Sequence, residues 1–225
     1  MYDDALMIHM PGDTWKLSRM SYDSLPFKPL LWEGVDLRTQ RGKDVLRTCK
    51  RYVANVNITK RGNFGAALSH IAVWNHLAQT NRSALVFEDN VLFLPDSMKR
   101  VNATLEALPG ADFVNFAVLR PSGTKLTHPP DTYSVPKPVR LREPLPNVWH
   151  SSYYISARGA TRILEHLRRK RTDFNRQIID RVATMFWSSS ADNRAYIVTP
   201  AVFGHRESSR DSRKRLNSIR DKLVV

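Results

Sequence analysis

The chain has 225 residues, enough for one α/β domain or two small ones with a sizeable core. Its 42% hydrophobic and 25% charged residues are ordinary for a globular protein, but a formal net charge of +14 favours polyanionic partners: nucleic acid, anionic lipid headgroups or phosphorylated small molecules. The single Cys49 excludes an internal disulfide and any multi-cysteine zinc site, and no apolar run approaches membrane-spanning length. No secretory signal opens the sequence, so the expectation is a soluble protein, cytoplasmic or peripheral at a membrane surface, that can still be part of a longer one.

In chain order, Ala5 to Met10 predicts a first strand stopped by Pro11-Gly12-Asp13. Trp15 to Met20 can start a helix from Asp13 or Thr14 as cap. Phe27 to Leu31 suggests a short second strand, and Trp32 to Leu37 a turn. Arg38 to Arg51 is polar and basic and carries no clear signal. Phe64, Ala67, Leu68, Ile71, Ala72 and Ala78 recur at helical spacing and predict a helix capped by Asn63. Ala84 to Leu94 follows as a strand. Ser97 to Leu108 predicts a helix ended by Pro109-Gly110, and Asp112 to Leu119 another strand. Pro121 to Pro146 is proline-rich; it cannot be a helix, and any strand in it is confined to an edge. Trp149 to Ser156 is strand-like, Ser156 can cap a helix to about Arg171, Gln177 to Trp187 predicts a further helix, and Ala195 to Thr199 a last strand. The tail from Arg206 carries seven Lys or Arg against three Asp or Glu, with Leu216, Ile219 and Leu223 as one apolar stripe. Strands alternating with helices through the first half predict a layered α/β fold with a mostly parallel sheet.

The stretch Ala84-Leu85-Val86-Phe87-Glu88-Asp89-Asn90 runs four apolar residues into two carboxylates and an amide. It reads as a strand buried on both faces, and ligands of open α/β sheets bind beyond the carboxyl ends of such strands. Acids there are costly to desolvate unless a positive group meets them, and a divalent cation on a diphosphate is such a partner. The plainer reading is a turn, since Asp and Asn bond their own backbone.

Gly65-Ala66-Ala67-Leu68-Ser69-His70, followed by the strand ending Glu88-Asp89-Asn90, resembles glycosyltransferase family 25, which includes lipooligosaccharide and collagen galactosyltransferases. The family pattern is a Gly-x-x-Leu-Ser-His helix, a short polar gap and a strand ending Glu-Asp-Asp. Ile8-His9-Met10 with Lys16, Gly34-Val35-Asp36, Asp112 to Leu119, Tyr153 to Ala160 and Ile178-Ile179-Asp180 resemble further family segments in order, so the resemblance runs from about Ala5 to Asp211. It implies one GT-A-type α/β/α domain over 1–225, with a nucleotide-sugar half (1–119), an acceptor-side half (120–205) and a basic tail. It also implies inverting transfer from a UDP-sugar, galactose by family default, to a hydroxyl of a glycan or glycoconjugate.

Carried onto this sequence, the resemblance implies that Glu88 and Asp89 meet the metal-bound diphosphate, with Mn or Mg as the ion. The chain departs from the pattern at Asn90, where the family has its last acid; an amide oxygen can bind the ion but brings no charge. His205, after the last strand, is where GT-A enzymes often supply another ligand, and a surface histidine is the alternative. Lys16, Arg19, Arg206 or Arg210 can neutralise a diphosphate without metal. Asp180 is the base implied for the acceptor hydroxyl, against a solvated acid paired with Arg176 or Arg181. Ile8, His9, Met10 and Asp36 can cradle base and ribose. Ser69 and His70 belong to the signature helix, where a core role for His70 competes with a binding one. Trp149 and Tyr153 can stack on a sugar or sit in the core. Peripheral contact with an anionic membrane suits the basic tail. The rivals are a nucleotide-sugar-binding protein with impaired chemistry, which Asn90 favours, and a polyanion binder, although no nucleic-acid-binding motif appears and no such partner is expected.

Overall fold

The computed structural model describes residues 2–13, 17, 27–55, 58–93, 96–116, 137–141, 150–199 and 202–205. The strands are β1 (Asp4–His9), β2 (Leu30–Glu33), β3 (Ala84–Glu88), β4 (Val91–Leu92), β5 (Phe113–Asn115), β6 (Lys137–Arg140), β7 (Ser152–Ile155), β8 (Ala195–Thr199) and β9 (Gly204–His205). The helices are α1 (Gln40–Cys49), α2 (Arg61–Thr80), α3 (Ser97–Glu106), α4 (Ala157–Lys170) and α5 (Ile179–Ser188). Seven strands form one sheet in the order β2-β1-β3-β7-β5-β8-β6. β1 pairs in parallel with β2 and β3, and β5 with β8, while β7 and β6 run against their neighbours. Five strands therefore point one way. Each strand buries residues on alternate sides. Leu6, Ala84, Val86, Phe113, Tyr153, Ile155 and Ala195 pack on α2, α4 and α5. Met7, Leu85, Phe87, Val114 and Val198 pack on α3 and on Val202-Phe203. The result is a GT-A-like α/β/α architecture, the expected fold class.

β3 is buried on both faces from Ala84 to Phe87, as its unbroken apolar run demands. The predicted strand to Leu94 is broken, however: Asp89-Asn90 make a turn, and Val91–Leu92 pair antiparallel with Gly204–His205 in a separate ribbon. The turn chemistry of Asp and Asn prevails over the apolar run. β7 enters antiparallel between β3 and β5, a long-range pairing with no local signal. β6 is an edge strand containing Pro138, as proline requires; the rest of the proline-rich stretch, the 15–20 helix apart from Leu17, and the tail lie outside the described residues.

Three local expectations change. Residues 40–49 are helical, with the Thr39 hydroxyl accepting from Gly42 N at 3.0 Å. α2 starts at Arg61, so Asn63 lies inside its first turn and does not cap it. β2 runs over Leu30–Glu33, and an irregular segment 34–36 leads into a turn at 37–38, closed by Thr39 N donating to Asp36 O at 3.0 Å. Ser156 caps α4 as expected, accepting from Gly159 N at 3.0 Å. Among the described residues no helix is long and apolar enough to cross a membrane.

Candidate active site at the carboxyl edge of the sheet

Parallel register brings the carboxyl ends of β1, β2 and β3 together. Ile8 lies opposite Trp32 and Glu88, and His9 opposite Glu33. Gly34 N donates to His9 O at 2.8 Å and Asp89 N to Ile8 O at 3.2 Å. The antiparallel β7 contributes its beginning to the same edge, with Glu88 N donating to Ser151 O at 2.8 Å. His9, the 34–36 segment, Glu88 to Asn90 and His150 to Ser152 therefore share one rim.

The signature helix secures that rim. Gly65 admits the Val35 carbonyl, since a Cβ there would stand 2.6 Å from its oxygen. One turn on, Ser69 Oγ accepts from Val35 N and donates to Gly65 O, both at 2.8 Å. Ser69 is buried and holds the segment that carries Asp36; its hydroxyl faces the protein, not an open surface. Met10 lies against the same segment, its Sδ occupying the space a Cβ on Gly34 would need. At Asp36, the Arg38 fork reaches both carboxylate oxygens, and the Arg38 backbone N–H adds a bond at 2.9 Å. These bonds hold the acid down to about 2.

Asp89 is buried, and its Oδ2 lies 3.2 Å from His9 Nδ1. Glu88 is half-buried; Oε1 lies 3.3 Å from His70 Nε2, and Oε2 accepts from Asn90 Nδ2 at 3.3 Å. His70 is fully enclosed, with Nδ1 at 2.8 Å from Tyr153 Oη. Tyr153 is likewise core and does not stack on a ligand. Asn90 Oδ1 is a buried acceptor with no hydrogen-bond partner among the described residues. Among the described residues no group of three or more His, Cys, Asp or Glu is gathered to hold a metal ion. Asp89 with the bare Asn90 oxygen fits a divalent cation that draws most of its ligand shell from substrate phosphate. Lys16, Arg19, Trp149, Arg206 and Arg210 lie outside the described residues; the backbone of His205 sits opposite Val91, one residue beyond the turn.

Asp180, in the first turn of α5, faces this cluster. The His150 backbone N–H donates to its carboxylate, and among the described residues no arginine pairs with it; Arg176 pairs instead with Asp173. Burial first, then the charge of Glu88, raise Asp180 to about 7, against the lowering pull of His70 and His150. His150 was not anticipated from sequence. Burial, then His70, push it down to about 3, so it is a neutral ring, 3.2 Å from Thr184 Oγ1. A lone histidine before a strand gives no sequence signal for such a place. A buried carboxyl with raised proton affinity at a sheet edge is suited to acid–base work.

Residues 33–179 match the sequence model of glycosyltransferase family 25 (LPS biosynthesis protein). The matched span holds the signature helix, β3 and β7, and leaves out β1, Asp180 and His205. No curated protein sequence matches the chain significantly.

Proposed function

The chain belongs to glycosyltransferase family 25, and from that premise we propose that it transfers a sugar from a UDP-sugar to a hydroxyl of a glycan or glycoconjugate, with inversion at the anomeric carbon. The observation that carries this reading is the buried Asp180 carboxylate, which accepts from the His150 backbone N–H and lies beside Glu88 at the rim that holds Asp89 and Asn90. A base for a hydroxyl works best when its proton affinity lies near the working pH. Asp180 takes the acceptor proton as the hydroxyl oxygen attacks the anomeric carbon. The bond to the UDP oxygen breaks on the opposite face, and the diphosphate leaves with the electron pair. Asp89, Asn90 Oδ1 and His205 are the residues that would hold Mn or Mg. Bound there, the ion would neutralise charge on the departing diphosphate. His9 orients Asp89 through its 3.2 Å contact. Asp36, ionised, suits a ribose diol, with Met10 against the nearby Gly34 and Ile8 at the end of β1 for the base. Galactose is the family's default sugar and is proposed on that ground alone.

A thermal-shift panel of nucleotide-sugars with and without Mn tests this reading, because a ligand that binds the native state raises its melting temperature. Stabilisation by UDP-sugars, stronger with Mn and lost in Asp89→Ala, supports it. No response to any nucleotide overturns it. The missing third acid at Asn90 favours one second reading, a nucleotide-sugar-binding protein with impaired chemistry: binding with no transfer or donor hydrolysis at any Mn concentration would establish that instead.

A further inference from the structure

Four side chains form a chain of hydrogen bonds that ends on Glu88. Trp74 Nε1 lies 3.0 Å from Tyr153 Oη, Tyr153 Oη 2.8 Å from His70 Nδ1, and His70 Nε2 3.3 Å from Glu88 Oε1. Proton counting fixes the direction of each bond. An indole N–H only donates, so Tyr153 accepts from Trp74. The phenol has one proton, and His70 Nδ1 is its remaining partner, so it donates there. His70 Nδ1 is therefore bare, and the ring proton sits on Nε2, facing Glu88. The opposite tautomer would aim two N–H groups at one phenol oxygen. It would also strand the phenol proton in the core and turn a lone pair towards a carboxylate. Trp74, Tyr153 and His70 are each no more than 1% exposed, so water cannot repair those faults. Burial raises Tyr153 well above its ordinary value, so it keeps the proton it donates.

We propose that His70 is a positioning residue: Trp74 and Tyr153 lock it as the Nε2–H tautomer, and that proton fixes the Glu88 carboxylate in place. The Asn90 amide holds the other Glu88 oxygen, so the carboxylate is gripped from helix α2 on one side and from its own turn on the other. The proposal rests on the transferase reading above, and it gives His70 a part in the reaction without contact with the donor. Glu88 lies beside the proposed base Asp180, and catalytic groups misplaced by about 1 Å can lose on the order of a hundredfold in rate, so the grip acts on kcat.

Nitrogen-15 NMR of histidine-labelled protein, joined to steady-state transfer kinetics, tests it. The wild-type His70 ring should show the Nε2–H pattern, and Tyr153→Phe should mix in the other tautomer. His70→Leu should lower kcat about tenfold or more with the UDP-sugar KM within about twofold, while His70→Gln, whose amide can still donate to Glu88, should recover most of the loss. Should His70→Leu fail to fold, the near-isosteric Tyr153→Phe carries the kinetic comparison, and an unchanged kcat there overturns the proposal. A wild-type Nδ1–H tautomer, a folded His70→Leu with full kcat, or Gln no better than Leu overturns it equally. A wild-type protein that transfers no sugar removes the transferase reading and the positioning role with it, an outcome distinct from active protein indifferent to these substitutions.

Discussion

At the scale of single residues, Asp180 carries the clearest consequence. A carboxyl in the unfolded chain titrates near ~4, whereas burial and Glu88 hold Asp180 at about 7 in the folded protein. Between those values the folded state keeps a proton that the unfolded state has released. Its contribution is therefore most favourable below the unfolded value, declines as pH rises, and levels off above the folded one. Asp180→Asn removes the decline. Urea unfolding should show the variant more stable than wild type at pH 8, by no more than ~4 kcal/mol, and much less so at pH 4. The same substitution removes the base, and kcat should fall by about 10²–10⁴. Wild-type kcat/KM should rise with pH through a limb near 7; a limb near 4 would mean that Asp180 titrates as if in water. Asn90→Asp asks a different question of the same rim. It takes the Nδ2 donor from Glu88 and sets two carboxylates together, so without metal the melting temperature should drop. With Mn the new charge should be met, and the Mn concentration for half-maximal stabilisation should fall about tenfold or more. Equal Mn dependence in both proteins would remove position 90 from the metal's ligands.

At the scale of elements, α2 joins two jobs on one helix. Its first turns, through Gly65 and Ser69, hold the 34–36 segment; the next, through His70 and Trp74, hold Glu88. Gly65→Ala pushes a methyl to 2.6 Å from the Val35 oxygen, and the helix-propensity gain of about 1 kcal/mol does not offset a clash with backbone. The variant should lose ~1–3 kcal/mol in urea unfolding and bind the donor more weakly. Gly62→Ala, one turn earlier with nothing within 4 Å, should be neutral or gain up to ~1 kcal/mol. Similar losses at both glycines would show that propensity, not the Val35 contact, governs the helix. The contrast also marks what the sequence could disclose. The runs of β3 and β8 and the Ser156 cap of α4 are local patterns, and they lie where the sequence predicts them. α1 escaped because basic residues surround its few apolar ones, Val45, Leu46 and Cys49. The break at Asp89-Asn90 escaped because apolar residues resume directly after it. Glu88 and Asp89 were legible as acids at a strand's end, but their pairings were not: His9 meets Asp89 from β1, His70 meets Glu88 from α2, and Asp180 lies beside Glu88 from α5. Such neighbourhoods are made by pairings distant in sequence, which no window along the chain contains.

At the scale of the whole molecule, the net charge of +14 surrounds a site whose recognised groups are carboxylates. A positive field concentrates any phosphate-bearing molecule near the surface, donor and nucleic acid alike, so attraction alone does not distinguish a transferase from a polyanion binder. The salt dependence does. A protein held to nucleic acid by six to ten phosphate contacts loses about 10³–10⁵ in affinity between 50 and 200 mM salt, as condensed counterions return. A UDP-sugar presents only two phosphates, held at short range by groups at the sheet edge, where bulk ions screen less than at an open surface. Titrating UDP-sugar and a mixed-sequence DNA duplex across that salt range should therefore give two slopes. The donor is expected to lose less than about tenfold, and the duplex at least two further orders of magnitude. Parallel slopes would mean that the donor is held by the diffuse field alone, and Glu88, Asp89 and Asn90 would then be a structural turn at the end of β3 with no bound diphosphate to meet.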